Sequence, residues 1–250
     1  MGALNHLVRP TFFISDLHLC AERPGISQIF ARFISDTAPA AESVYILGDL
    51  FEYWIGDDQL DSDSLARDVA RQLSDLATRG TSIFFMHGNR DFLIGGRFAA
   101  EASLEILPDP TLIDIGPTPV LLMHGDTLCT DDVAYQTFRS EVRSSDWQRA
   151  ILAKPFAERV ALAQSLRSQS DIEKSMKPDA IMDVNANAVA ATFRQFGYAV
   201  MVHGHTHRPA KHETLLDGHA CVRWVLPDWH EVGGYLALAN GAWYTITLKA

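Results

Sequence analysis

Residues 43–58 read SVYILGDLFEYWIGDD. The β-branched and aromatic run 43–47 stops at a Gly-Asp pair, so it reads as a buried strand whose carboxyl end carries a carboxylate, Asp49. The same grammar recurs in TFFISDLH at 11–18, SIFFMHGNRD at 82–91, VLLMHGD at 120–126 and AVMVHGHTH at 199–207. Between 47 and 82, Leu65, Val69, Leu73 and Leu76 recur at helical spacing among polar residues. Strand, helix, strand in this order predicts right-handed βαβ units and a parallel sheet. Residues 111–115 and 120–123 read as two strands joined by the turn 116–119. Residues 221–226, 235–239 and 243–248 read as antiparallel strands. The sum is a mixed α/β fold with two packed sheets.

Composition narrows the classes. The chain has 250 residues, 47% of them apolar and 21% charged, which suits one or two compact domains. A net charge of -10 argues against broad nucleic-acid binding, which needs a basic footprint. Cys20, Cys129 and Cys221 are far apart and lack CxxC spacing, so a zinc ribbon or disulfide framework is not expected and a reducing compartment is. The first residues do not read as a secretory leader, so none is expected, and no apolar run is long enough to span a bilayer. Met1-Gly2 opens like a myristoylation site, but His6 stands where Ser or Thr is needed. A cytoplasmic protein, at most peripheral to a membrane, is expected.

Each motif alone has an ordinary reading. Asp16-Leu17-His18 could be a turn-capping acid beside a surface imidazole, and Gly48-Asp49 or Gly88-Asn89 could be plain turns. Their conjunction points elsewhere. Ligands gather at the carboxyl ends of strands in open α/β sheets, and five successive strand ends here carry carboxylate, amide or imidazole groups. Residues i and i+2 of an extended segment share a side, which pairs Asp16 with His18 and His205 with His207. Such donors suit Mn, Fe, Zn or Mg. Asp49 is the candidate to bridge two ions, and a bridged pair acidifies water and polarises phosphoryl oxygens.

The ordered set DxH, GD, GN[HR], a later His and GHxH, met at residues 16 to 207, resembles the calcineurin-like metallophosphoesterases. The resemblance implies a four-layer α/β/β/α sandwich of two mixed sheets. It also implies two metal sites, Asp16, His18, Asp49 and His207 holding one ion and Asp49, Asn89, His124 and His205 the other. His203 then reads as a buried or supporting histidine.

Many members of that family carry His after the Asn, able to protonate a leaving alcohol. Arg90 stands there instead. Arginine stays protonated and donates no useful proton, but its fork suits phosphate oxygens. A phosphate leaving group needs no such acid, so cleavage of a pyrophosphate bond is expected. The alternative, Arg90 in a structural pair with Asp91 or another acid, stays open.

Residues 46–58, 87–93, 124–126, 181–185 and 203–209 further resemble the branch of the family that acts as UDP-2,3-diacylglucosamine diphosphatases in lipid A biosynthesis. That resemblance implies two Mn²⁺ ions, Mg²⁺ or another divalent ion being possible. It implies a water, activated by the two ions, attacking the α-phosphorus of the acylated UDP-glucosamine to release UMP and 2,3-diacylglucosamine 1-phosphate. Asp49, Asn89, Arg90 and His124 would serve catalysis. Asn89, Arg90, Asp132, Tyr135, Ser170, Lys174, Lys177 and His205 would contact substrate. Lys174 stands where the branch often has Asn, which puts its contact in doubt. The implied setting is the cytoplasmic face of the inner membrane, with no nucleic acid and no obligate protein partner. Another nucleotide phosphodiester, or a non-catalytic scaffold, are the rival readings.

Residues 133–177 differ from the rest. They hold eight Lys or Arg against five Asp or Glu, a net of +3 against -13 elsewhere. They read as a helical segment broken at Pro155. Either it is an ordinary surface helix pair, or it is a lid inserted between core segments 1–132 and 178–250 whose cations and apolar residues meet an anionic, acylated ligand. Phe51, Tyr53 and Trp54 read as core rather than substrate wall.

Overall fold

The computed structural model describes residues 9–116, 118–176 and 183–249, and along 168–176 the backbone alone. The described chain runs β1 (Thr11–Ile14), α1 (Pro24–Arg32), β2 (Ser43–Leu47), α2 (Gln59–Ser62), α3 (Ser64–Thr78), β3 (Ser82–Met86), α4 (Gly96–Ala102), β4 (Glu105–Leu107), β5 (Thr111–Ile113) and β6 (Val120–Leu122). It continues α5 (Val133–Val142), α6 (Ser145–Leu152), α7 (Phe156–Met176), α8 (Ala186–Gln195), β7 (Val200–His203), β8 (Ala210–Leu216), β9 (His219–Val225), β10 (Gly233–Ala239) and β11 (Ala242–Leu248).

Strand residues alternate between faces, and here both faces are buried. Phe12 and Ile14, Val44 and Ile46, Ile83 and Phe85 face one core, which α1, α3 and α4 cover with Phe30, Leu73 and Phe98. Phe13, Tyr45, Leu47 and Met86 face a second core and meet Val120, Leu122 and Val202 of the other sheet. Leu121 and Met201 point away from that core onto Phe193 of α8, a third core. Three cores between four layers give the expected α/β/β/α sandwich. The double burial explains why these strands are unbroken apolar runs in sequence.

The first sheet has the order β11-β10-β1-β2-β3-β4 and the second β5-β6-β7-β9-β8. β1, β2 and β3 are parallel, as are β6, β7 and β9. Their carboxyl ends therefore share one rim. The C-terminal strands are not one antiparallel set: β10 and β11 extend the first sheet beside β1, whereas β9 joins the second beside β7.

The segment from 133 contains three helices rather than two. The Ser144 side chain accepts from the Trp147 amide and caps α6, adding a break before that at Pro155. Phe51 and Trp54 are core as expected, but Tyr53 is 38% exposed.

Candidate metal centre

Every expected ligand side chain leaves a strand-end loop on the shared rim. Asp16, His18, Asp49 and Asn89 follow strands of the first sheet, and His124, His205 and His207 follow strands of the second. Of the nine described non-glycine residues with positive φ, five are Asp16, His18, Asp49, His205 and His207. Such backbones cost about 1–3 kcal/mol each and persist where the surroundings impose them. Glycine permits the crowding: a Cβ at Gly88 would overlap Asp49 Oδ1, and one at Gly204 would overlap Asp16 Oδ2.

Two donor clusters result. His18 Nε2 lies 3.3 Å from His207 Nε2 and 3.7 Å from Asp49 Oδ2, while His207 Nε2 lies 3.5 Å from Asp16 Oδ1. At the second cluster His124 Nε2 lies 3.9 Å from Asp49 Oδ1. Asn89 Oδ1 accepts there from His124 Nε2 at 3.0 Å and from His205 Nδ1 at 2.9 Å. The ligand atoms of Asp16, His18 and His207 lie within 4.8 Å of one another, as do those of Asp16, Asp49 and His124. Asp49 touches both clusters through its two oxygens, the placement a bridging carboxylate needs.

The surroundings fit divalent cations. Histidine ligands are normally oriented by a partner on the other ring nitrogen. His124 Nδ1 donates to the Leu47 carbonyl at 2.9 Å, which turns Nε2 to the centre. Carboxylates also stand near two others, without hydrogen bonds: Glu52 Oε2 lies 3.5 Å from His18 Nδ1, and Asp228 Oδ2 lies 3.8 Å from His207 Nδ1. Burial opposes charge on His124, yet Asp49, Asp126 and Asp16 outweigh it and raise the imidazole to about 9. Burial, then the nearby charge of His124, pushes His205 down to about 3. Burial also works against ionisation of Asp16, but the hydrogen bond to His207 and the surrounding imidazoles hold that carboxyl far below its usual range. A charged imidazole thus sits where a cation would compensate the same acids.

His203, the supporting histidine, is buried and bonded on both nitrogens, to the Gly204 carbonyl at 2.8 Å and to Arg223 at 2.9 Å. Asp91 is committed to the amides of Leu50 and Gly88 at 2.7 and 2.8 Å. Among the described residues no carboxylate lies within ion-pair distance of the Arg90 guanidinium, so the pairing with Asp91 is not made. The Arg90 amide instead donates to Asp49 Oδ1 at 2.8 Å, and its charge bears on both His18 and Asp49.

Asp132 caps α5 by accepting from the Tyr135 amide. The Tyr135 ring stacks on His205 at 5.9 Å and its phenol donates to Asp126 Oδ2 at 2.7 Å. Ser170 and Lys174 fall on the backbone of α7, their side chains outside the described residues, and Lys177 lies outside them altogether.

Several residues that the sequence did not single out complete the site. Asp126, fully buried, also accepts from Arg139 at 2.7 Å. Arg143 donates to the Gly88 carbonyl at 2.8 Å. Arg159 binds Asp58 and the Ile55 carbonyl, and Arg167 faces Glu52 at 3.6 Å. These cations of 133–177 fasten α5 and α7 to core loops. Of these four, Arg139, Arg159 and Arg167 face carboxylates, whereas Arg143 meets a neutral carbonyl and keeps its charge. Each of these arginines was visible in sequence only as a cation in a helical stretch, and its distant partner was not.

The sequence profile described as calcineurin-like phosphoesterase matches residues 9–209. A protein of Aromatoleum aromaticum (strain DSM 19018 / LMG 30748 / EbN1) named UDP-2,3-diacylglucosamine hydrolase is 53% identical over 224 residues, 90% of this chain and 91% of that protein. A protein of the same name from Stenotrophomonas maltophilia (strain K279a) is 48% identical over 246 residues, 95% of this chain and 98% of its own. One from Cellvibrio japonicus (strain Ueda107), again of that name, is 47% identical, covering 92% of this chain and 96% of its own.

Proposed function

This chain belongs to the calcineurin-like phosphoesterases, and we propose that it hydrolyses the pyrophosphate bond of UDP-2,3-diacylglucosamine in lipid A biosynthesis, giving UMP and 2,3-diacylglucosamine 1-phosphate. Near-full-length relatives that carry the name UDP-2,3-diacylglucosamine hydrolase support the substrate. The observation that carries the choice of bond is Arg90, tied through its amide to the bridging candidate Asp49.

Asp16, His18, Asp49 and His207 would hold one ion, and Asp49, Asn89, His124 and His205 the other. Carboxylate, imidazole and amide donors suit Mn²⁺. Bound there, two divalent cations supply Lewis-acid charge to the phosphoryl oxygens and lower the pKa of water. Arg90 offers its fork to those oxygens and stays protonated throughout. It gives the leaving group no proton, so that group departs as an anion that is stable without one. A sugar 1-phosphate satisfies this, and an alkoxide does not. His205, stacked on Tyr135, and Asn89 also face the substrate.

Residues 133–177 are the proposed roof of the site between core segments 1–132 and 178–250. Asp132, Tyr135, Ser170, Lys174 and Lys177 are its proposed substrate contacts. Val133, Phe138 and Leu152, exposed at 70%, 38% and 45%, support a place for acyl chains and a peripheral seat on the cytoplasmic face of the inner membrane. No helix among the described residues is long and apolar enough to cross a bilayer.

The test compares Mn²⁺-supplemented hydrolysis of acylated UDP-glucosamine, a cyclic nucleotide and single-stranded DNA. Turnover of the first alone is expected, with Asp49→Ala losing roughly three decades or more, the several kcal/mol of metal assistance at ~1.4 kcal/mol per decade. Preferred cleavage of either other substrate, or full activity of Asp49→Ala in chelator, would overturn the reading.

A further inference from the structure

A cavity of about 300 Å³ opens on the second-sheet side of the rim, lined by Asp183, Thr206, Arg208, His212 and Arg223, with Val225 among its apolar walls. Thr206 stands between the candidate ligands His205 and His207, so the cavity begins next to the centre. His212 and Arg223 are cross-strand partners on β8 and β9, and their side chains leave the same face. Arg223 is held by its contact with the buried His203 at 2.9 Å. Among the described residues no carboxylate lies within ion-pair distance of it. The volume lies at the small end of the range for ligand sites, about 300–1,000 Å³.

The other half of the rim is already covered. Arg143, Arg159 and Arg167 fasten α5 and α7 to the first-sheet loops at Gly88, Asp58 and Glu52. A substrate with its scissile phosphorus at the centre must extend in two directions. The acylated sugar suits the side under the helices, with their exposed apolar residues. The remaining half is a nucleotide, whose planar base offers carbonyl oxygens to hydrogen-bond donors and a face to a flat guanidinium.

We propose that this cavity holds the uridine half of the substrate, with His212 and Arg223 as its specificity-determining contacts. The proposal rests on the reading that the substrate is an acylated UDP-sugar. It assigns His212 and Arg223 to recognition of the nucleoside rather than to catalysis.

The test uses the full chain loaded with Mn²⁺. Inhibition by UMP and by 2,3-diacylglucosamine 1-phosphate is measured for the wild type, His212→Ala and Arg223→Gln, with metal content as control. UMP inhibition is expected to weaken roughly tenfold or more in Arg223→Gln, the loss that one charge-assisted hydrogen bond carries, and about threefold or more in His212→Ala, the loss of a neutral one. Inhibition by the acylated sugar phosphate and metal content are expected to stay unchanged. As a measurement independent of variant folding, 4-thio-UMP is photo-crosslinked to the wild type and the labelled peptide identified. Label within 206–225 supports the proposal. Label confined to 133–176, or unchanged UMP inhibition in both variants, overturns it while leaving the substrate reading intact. A wild type that does not hydrolyse acylated UDP-glucosamine overturns the substrate reading, and the uridine assignment falls with it.

Discussion

The imidazoles of His18 and His207, 189 positions apart in the chain, bring their Nε2 atoms to 3.3 Å. Two neutral imidazoles cannot present lone pairs to each other at that distance without a proton or a cation between them. Divalent metal should therefore stabilise the fold. Mn²⁺ at a hundred times its dissociation constant is expected to add about 2.7 kcal/mol. Thermal unfolding with Mn²⁺ and with chelator checks this, and a His18→Ala, His207→Ala double variant should lose most of the difference.

Metal loading should also release a proton. Without metal, His124 is raised to about 9 and is protonated at pH 7, whereas a ligand imidazole must be neutral. Loading at pH 7 is expected to release about one proton from this group, and the release should vanish as pH climbs past 9. The sign for the metal-free fold is the reverse of metal affinity. Relative to an ordinary histidine near 6.5, stability from His124 is full below about 6.5 and is lost as pH rises through 9. Titration calorimetry in buffers of different ionisation enthalpy reads the proton count directly.

Arg90 should matter as a fixed positive charge and not as an acid. Arg90→Ala is expected to lower kcat by about two to three decades, the scale of losing one donor to transition-state charge. Arg90→Lys should recover part of that, because the charge returns without the fork. The limb of the kcat–pH profile should not move in either variant. Steady-state kinetics across pH checks both points.

The fastening of α7 to the core can be weighed by stability alone. Arg159 is almost fully buried and its Nη1 contacts Asp58 Oδ1 at 2.9 Å, while Asp58 is 44% exposed. Asp58→Ala is expected to cost about 1.5–3 kcal/mol, the range for hydrogen bonds to charged groups. Arg71→Ala, which breaks an exposed pair with Asp68, is expected to cost less than about 0.5 kcal/mol. Urea unfolding of both variants makes the comparison.

The rim was readable from sequence because each of its five loops ends a strand that is buried on both faces. Unbroken runs such as 82–86 announce such strands, and the ligand chemistry follows at once in Asn89 or His124. Two strands escaped that reading. β4 (Glu105–Leu107) has only three residues, and β8 (Ala210–Leu216) is an exposed edge strand, so neither carries an apolar run. The arginines of α5 and α7 escaped for another reason. Arg143 and Arg159 meet the Gly88 and Ile55 carbonyls, 55 and 104 positions away, and a backbone carbonyl leaves no mark in a sequence. Charge counting alone therefore left open which of these arginines also hold their helices to the core. His18 and Glu52 show the same limit at the centre, since the imidazole was visible and the carboxylate 3.5 Å from it was not.

Hydrolysis of acylated UDP-glucosamine in oxygen-18 water tests the central claim most directly. Attack at the α-phosphorus places one label in UMP and none in 2,3-diacylglucosamine 1-phosphate. Label in the sugar phosphate, or UDP as the nucleotide product, would contradict it.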